Sequence, residues 1–317
     1  MGKYALRLFG QAIVAWLLAS IGVFFLLRVL PGDAASVALG VNATPDALAA
    51  WRVRTGTDRP LMVQYWTWLL GLLRLDFGTS FVTGRSITPL VLDRIQVTLI
   101  LVVLGLLLAL IIAIPLGALA AMQRRNAIGG LISGASQVGV AVPAFLLGLL
   151  LVALFSVRLG WLPTGGWMPP AFNFAEFLRR VTLPVLTLGL IQAAILTRYV
   201  RSAVVEMLSQ DYMRTALSVG FTRWRAFWVH GLRNVAIPII TISGVQFAAL
   251  LVGAVVVERV FVIPGIGSML IDAVANRDLQ TVQGIVMLVV AVIIVANLIT
   301  DLAYLAIDPR VRDGVPA

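Results

Sequence analysis

The chain has 317 residues, of which 60% are apolar and only 12% charged, with no cysteine and a formal net charge of +10. Ordinary soluble domains carry about 25% charged residues, so this composition excludes that class and points to an integral membrane protein with several spans. Without cysteine there is no disulfide framework, zinc ribbon or thiol nucleophile, and in a membrane protein the positive charge signals arginines held on the cytoplasmic side rather than nucleic-acid binding.

The first apolar run, residues 9–30, is long enough at about 1.5 Å per residue to cross a hydrocarbon core of about 30 Å. Lys3 and Arg7 precede it, which favours a cytoplasmic N-terminus. It lacks an A-x-A exit and ends in LPGD, so it is read as a retained span rather than a cleaved signal. Residues 31–96 mix charges with helix breakers and are assigned to the outer side. Within them, residues 61–75 are apolar but too short to span, flanked by Arg59, Arg74 and Asp76. Trp66 and Trp68 make this stretch an expected interfacial helix, its indoles at the headgroup level.

The second span is expected at 97–122, with Pro115 as a tolerated kink and Arg124 and Arg125 at its inner end. The third is expected at 131–155, where Ser133, Gly134, Ala135, Ser136 and Gly139 give a small-residue face suited to close helix packing. Residues 158–180 carry Trp161, Pro163, Gly165, Gly166, Trp167, Pro169 and Pro170 and read as a short outer loop. The fourth span is placed at 181–197, an inner loop at 198–235, the fifth span at 236–257, an outer loop at 258–281 and the sixth span at 282–300.

With the N-terminus inside, the inner segments hold Lys3, Arg7, Arg124, Arg125, Arg198, Arg201, Arg214, Arg223, Arg225, Arg233, Arg310 and Arg312. Lysine and arginine near span ends in short loops set orientation, so six spans with both termini cytoplasmic is the preferred topology. At depth the notable polar residues are Gln192, Gln246 and Asn297, which either line a pathway or hydrogen-bond between helices. No Asp or Glu sits in the middle of a span, so a proton relay or ion-coupled mechanism has little support. Arg28 and Asp301 stand at span ends, where long charged side chains snorkel.

Soluble-enzyme chemistry is largely excluded. Lys3 is the only lysine, so no GxxxxGK[ST] phosphate loop exists. His230 is the only histidine, which rules out paired-histidine metal sites, and no G-x-S-x-G elbow occurs. Catalytic residues, metal ligands and bound cofactors are therefore not expected in this chain.

Residues 201–238 differ from the rest in being basic and helix-forming. Residues 203–217 read as a helix, with Val204, Met207, Leu208, Tyr212 and Leu217 near helical spacing. Gly220 interrupts it, and Thr222 is a plausible N-cap for a second short helix through Leu232. Two short helices around a glycine bend, clamped between spans, make a knob that a water-soluble partner can grip. A plain positive-inside loop is the blander reading. A helix-turn-helix DNA reader is excluded on size, since about 36 residues between two spans leave no room for a third supporting helix.

The triplet Arg214-Thr215-Ala216, followed three residues later by Gly220, resembles the EAA loop of ABC-importer permeases. The words DYMRTALSVGFTRWRAF and HGLRNVAIPIIT resemble the dipeptide, oligopeptide and nickel branch of that family, and the likeness extends from LPGD to the C-terminal IDPR. Arg214 replaces the usual glutamate, and Arg233 stands where the general pattern has proline. The stretch from Glu258 to Gly267 resembles the family's E-x-V-F-x-x-P-G-[IL]-G segment on the outer side, continued by Arg277-Asp278 and residues 280–284.

The resemblance implies an all-α, six-span, type I importer permease of the MetI-like kind, acting as one half of a translocation pathway. It implies a sister permease, two cytosolic ATPases that bind ATP and Mg, and an extracytoplasmic binding protein that delivers cargo. Peptide is the expected cargo, with nickel chelates or glutathione-like substrates as alternatives. The residues implied for ATPase coupling are Asp211, Tyr212, Arg214, Thr215, Ala216, Gly220, Arg225, His230, Arg233 and Asn234. Those implied for an outer gate or binding-protein contact are Glu258, Phe261, Pro264, Gly265 and Gly267. Two other classes stay open: a secondary transporter working without nucleotide, and a membrane-anchored regulator that moves no substrate.

Overall fold

The computed structural model describes residues 2–29, 34–40 and 43–307. The LPGD motif, the Asp308, Pro309 and Arg310 of IDPR, Arg312 and the Lys3 side chain lie outside the described residues. Thirteen α-helices are described: α1 Gly2–Val29, α2 Ala34–Leu39, α3 Pro45–Thr55, α4 Leu61–Leu73, α5 Thr88–Met122, α6 Ala127–Ala141, α7 Ala144–Leu151, α8 Phe174–Ser209, α9 Asp211–Ser218, α10 Arg223–Ala226, α11 Leu232–Val260, α12 Ile266–Ala275 and α13 Leu279–Ile307. Two π-helical turns, Val152–Arg158 and Phe227–Gly231, join α7 to the following loop and α10 to α11.

Five helical stretches are long and apolar enough to cross a membrane: Leu6–Arg28, Thr88–Met122, Phe174–Ser209, Arg223–Val260 and Leu279–Tyr304. A sixth crossing is supplied if the pair Ala127–Ala141 and Ala144–Arg158 counts as one span, but this pair is bent by 101°. The third span, expected over 131–155, is thus a bent pair of helices rather than one continuous helix. Pro143 is the cause. Val142 and Pro143 both take extended conformations (ψ 122° and 141°), as a residue before proline and a residue without a backbone donor prefer. By contrast Pro115, Pro184 and Pro238 remain inside their helices.

The chain divides into two compact units. Of the described residues, the larger contains 2–5, Thr98–Ile263 and 296–307. Here α8 is the central element, packed by α5, α6, α7 and α11. Its apolar face is followed down the helix by Leu188, Ala193, Leu196, Val200, Val204 and Met207, all buried. Of the small-residue face expected on α6, Gly139 meets α8, where an added Cβ would stand 2.8 Å from the Ala194 methyl, and Ser136 is buried, whereas Gly134 and Ala135 are exposed. In lipid this closeness matters more than greasiness, because tails are as apolar as side chains.

The smaller unit contains Leu6–Val97 and Pro264–Val295. Phe24, Tyr65 and Trp68 form an aromatic cluster with ring centroids 5.3–6.2 Å apart, and the Ser20 hydroxyl lies 2.9 Å from the Tyr65 hydroxyl. The interfacial role expected of Trp68 is therefore corrected: it is a core residue, while Trp66 is exposed. The Asp278 carboxylate ties this unit together. It accepts hydrogen bonds from the Ser80 and Thr281 hydroxyls and, at 3.1 Å, from the Phe81 backbone N–H. The outer segment expected at 258–281 is not a plain loop, since α12 occupies ten of its residues.

Candidate functional site: the 201–238 knob

At about 1.5 Å per residue, the 36 residues of α8 reach about 54 Å, far more than a hydrocarbon core of about 30 Å. The helix is therefore longer than such a core is thick, and its apolar stripe continues through Val200, Val204 and Met207. The break comes at Gln210, whose backbone is extended (φ −72°, ψ 150°), and α9 begins at once with Asp211 in its first turn, where an acidic group suits the helix dipole. The single helix expected over 203–217 is thus two helices: the end of α8, and α9.

Two inward residues anchor α9. Met213 and Ala216, one helical turn apart, are buried in the same cluster as Val200, Val204, Met207, Ala226 and Phe227. The other face is bare: Asp211, Tyr212, Arg214, Thr215 and Ser218 are exposed. Arg214 and Asp211 approach to 3.4 Å, but both side chains are so exposed that the pair adds little to stability.

After α9 the chain turns at Gly220, with φ at +96°. Its N–H donates to the Leu217 carbonyl, and the Phe221 N–H to that of Ala216. A residue with a side chain is strained in this conformation, although a Cβ there would meet no atom of this chain within 4 Å. Thr222 caps α10 as expected, its hydroxyl accepting from the Arg225 N–H at 3.3 Å. The second short helix does not end at Leu232, however. It passes through the π-helical turn Phe227–Gly231 directly into α11, so that Arg223–Val260 is one 38-residue helical stretch.

The turn is braced by rings. The Arg225 guanidinium lies 4.8 Å from the centre of the Phe221 ring, whose other neighbour is the His230 imidazole at 5.4 Å. Of the sequence-derived coupling residues, Asp211, Tyr212, Arg214, Thr215, Gly220, Arg225, His230, Arg233 and Asn234 are exposed, and Ala216 is buried beneath them. Val219, Trp224, Trp228 and Val229 share this exposure and were not singled out from the sequence. The alternation of tryptophan with arginine in TRWRAFW is the signal that marks them.

The outer stretch is arranged differently. Glu258 lies within the last turns of α11 rather than after it, 1% exposed, and its carboxylate accepts a hydrogen bond from the Thr98 hydroxyl. Phe261, Gly265 and Gly267 are also buried, whereas Val262 and Pro264 are exposed. Val262 has φ at +52°, and the Phe261 carbonyl accepts from the Gly166 N–H at 2.7 Å. Of the three polar residues at depth, Gln192 and Gln246 are buried, and the Gln192 Nε2 has no hydrogen-bond partner; Asn297 is exposed. Among the described residues no three metal-ligating side chains cluster.

The family model described as "Binding-protein-dependent transport system inner membrane component" matches residues 113–313. A second, "Binding-prot-dependent transport system membrane comp, N-term", matches residues 1–102. A probable peptide ABC transporter permease of Sinorhizobium fredii is 36% identical over 98% of this chain and 100% of its own length. A glutathione transport system permease, GsiC of Salmonella typhimurium, is 38% identical over 98% of this chain and 99% of its own. Among solved structures, a chain of the inward-facing MetNI methionine ABC transporter is similar with a TM-score of 0.56 and 15% identity, over 69% of this chain and 96% of that one. At that identity the likeness is one of fold, and it agrees with the all-helical importer-permease architecture expected from the sequence.

Proposed function

Since this chain belongs to the family of inner-membrane components of binding-protein-dependent transport systems, we propose that it forms one half of the pathway of an ATP-driven peptide importer, with the knob around Gly220 as its grip on a cytosolic ATPase. The relatives' names supply the cargo class: peptide in the Sinorhizobium and Brucella proteins, glutathione in the Salmonella ones. Glutathione is itself a small peptide, so both names describe the same chemistry.

The carrying observation is the two-faced α9. Its inner face, Met213 and Ala216, is fixed to the end of α8, while Asp211, Tyr212, Arg214 and Thr215 stand bare beside exposed Trp224 and Trp228. Exposed tryptophan, tyrosine and arginine are the residues that anchor protein interfaces. Because α8 and the stretch from Arg223 to Val260 both run unbroken from the knob into the membrane, a push on α9 moves two spans together. ATP binding would close two ATPases, the knob would transmit that motion, and the spans would reorient to accept cargo from a binding protein. A sister permease completes the pathway, and both chain termini face the cytoplasm.

On this reading the buried Glu258, Phe261, Gly265 and Gly267 set the shape of the outer turn, and exposed Val262 and Pro264 offer the surface for a binding protein. Asn297, exposed in the single chain, is better placed than Gln192 or Gln246 to face the pathway or the sister subunit. The test is cysteine cross-linking from Tyr212→Cys in the assembled complex. An adduct with the ATPase is expected, and an adduct only with reagents added outside intact cells would overturn the reading.

A further inference from the structure

The smaller unit holds a cavity of about 690 Å³ to which the knob contributes no residue. Its volume lies within the usual range of about 300–1,000 Å³ for small-molecule sites. Three guanidinium groups line it: Arg28, Arg54 and Arg59. Arg54 and Arg59 come from the end of α3 and the turn after it, and Arg28 from the end of α1, where it lies 5.2 Å from the centre of the Phe24 ring. None of the three forms an ion pair among the described residues. Among the described residues Asp76 is the one carboxylate on the wall, and its Oδ1 already accepts the Gly78 N–H at 2.9 Å.

The rest of the wall is built rather than incidental. Trp51 and Phe81 meet edge to face at 5.2 Å, and Phe81 is pinned by its N–H to the Asp278 carboxylate. Gln280 reaches the cavity from α13 while donating to the Phe77 carbonyl at 3.3 Å. Three arginines with no ion-pair partner among the described residues thus line one cavity, and the planar guanidinium fork matches a carboxylate.

From this geometry we infer that the cavity is a ligand site of the N-terminal unit that takes a small carboxylate-ended molecule: the α-carboxylate of a short free peptide against Arg54 and Arg59, with its ammonium toward Asp76. The rings of Trp51 and Phe81, set edge to face, supply an apolar contact for the ligand's body. The peptide class rests on the transport reading above, but the anion preference rests on the cavity alone.

The test uses the full chain in phosphatidylcholine nanodiscs, with trialanine, trialanine amide and inorganic phosphate as probes and tryptophan fluorescence as readout. Trialanine is expected to bind, its amide about tenfold more weakly, and R54Q/R59Q to lower trialanine binding about tenfold with unchanged thermal stability, since both side chains are exposed. Equal binding of acid and amide, no binding of either, or binding of phosphate without trialanine would overturn the site. Peptide uptake by the intact complex is measured alongside. Uptake without trialanine binding by the chain sinks the site and leaves the transport reading standing; trialanine binding without uptake does the reverse.

Discussion

Gly220 concentrates the case at the smallest scale. Its φ of +96° costs any other residue strain, roughly 1–2 kcal/mol, yet an added side chain would touch nothing in this chain. A loss of function larger than that strain therefore reports on a partner. Gly220→Val is expected to abolish peptide uptake while leaving membrane insertion and subunit yield intact, and Gly220→Ala to give an intermediate rate. Normal uptake by the valine variant would remove the knob from the mechanism. Asp278 makes the complementary case in the smaller unit, since it gathers Ser80, Phe81 and Thr281 on one carboxylate. Asp278→Ala leaves those donors unsatisfied and is expected to lower stability by about 2–3 kcal/mol, read as a fall in the thermal midpoint of the purified chain.

Such residues differ in how legible they are in the sequence. Gly220 and the Thr222 cap were legible because a left-handed turn and a helix start each need particular residue types at fixed offsets. Asp278 was visible as part of a motif, but its hydrogen-bonding role was not, because its partners Ser80 and Phe81 lie nearly two hundred positions away in the sequence. Trp68 misled for the same reason: a tryptophan in a short apolar helix suits an interface or a core equally, and only Phe24 and Tyr65 decide between them.

Among the elements, α9 is held by two buried residues and little else. Met213→Ala is expected to cost about 2–5 kcal/mol through the cavity it leaves. Because α9 is only eight residues long, the loss should appear locally, as faster amide exchange over Asp211–Ser218 with the rest of α8 still protected. Exchange that quickened equally throughout α8 would show that α9 has no independent stability. Most helices were readable from apolar run length; their ends were not. Helix α5 begins at Thr88 rather than 97, and α8 runs on to Ser209, since helical backbone continues past the lipid wherever neighbours bury it. Gln210 breaks the helix with neither proline nor glycine, so only the seating of Met213 and Ala216 reveals the joint. Pro143 did advertise the bend between α6 and α7, but it stood inside an apolar run long enough to pass for one straight span.

For the whole molecule, the separation of work between chains is the central expectation. Nothing in the sequence resembles a phosphate loop, and Lys3 is the only lysine. In proteoliposomes containing the assembled complex, uptake should require ATP and the binding protein, and an imposed proton or sodium gradient should not replace them. Gradient-driven uptake by this chain alone would favour the secondary-transporter reading instead.

The π-helical turn at Phe227–Gly231 acts as a buffer in the stretch from Arg223 to Val260. A π turn takes up an extra residue within a single turn, so shortening it by one would leave an ordinary helix whose two ends keep nearly the same bearing. The same deletion in the regular part of α11 would swing α10 by about 100° around the axis, the angular step of one residue in a 3.6-fold helix. Trp224 and Arg225 would then aim elsewhere with their chemistry untouched, while Met213 and Ala216 keep α9 seated on the end of α8, which would separate the knob's composition from its direction.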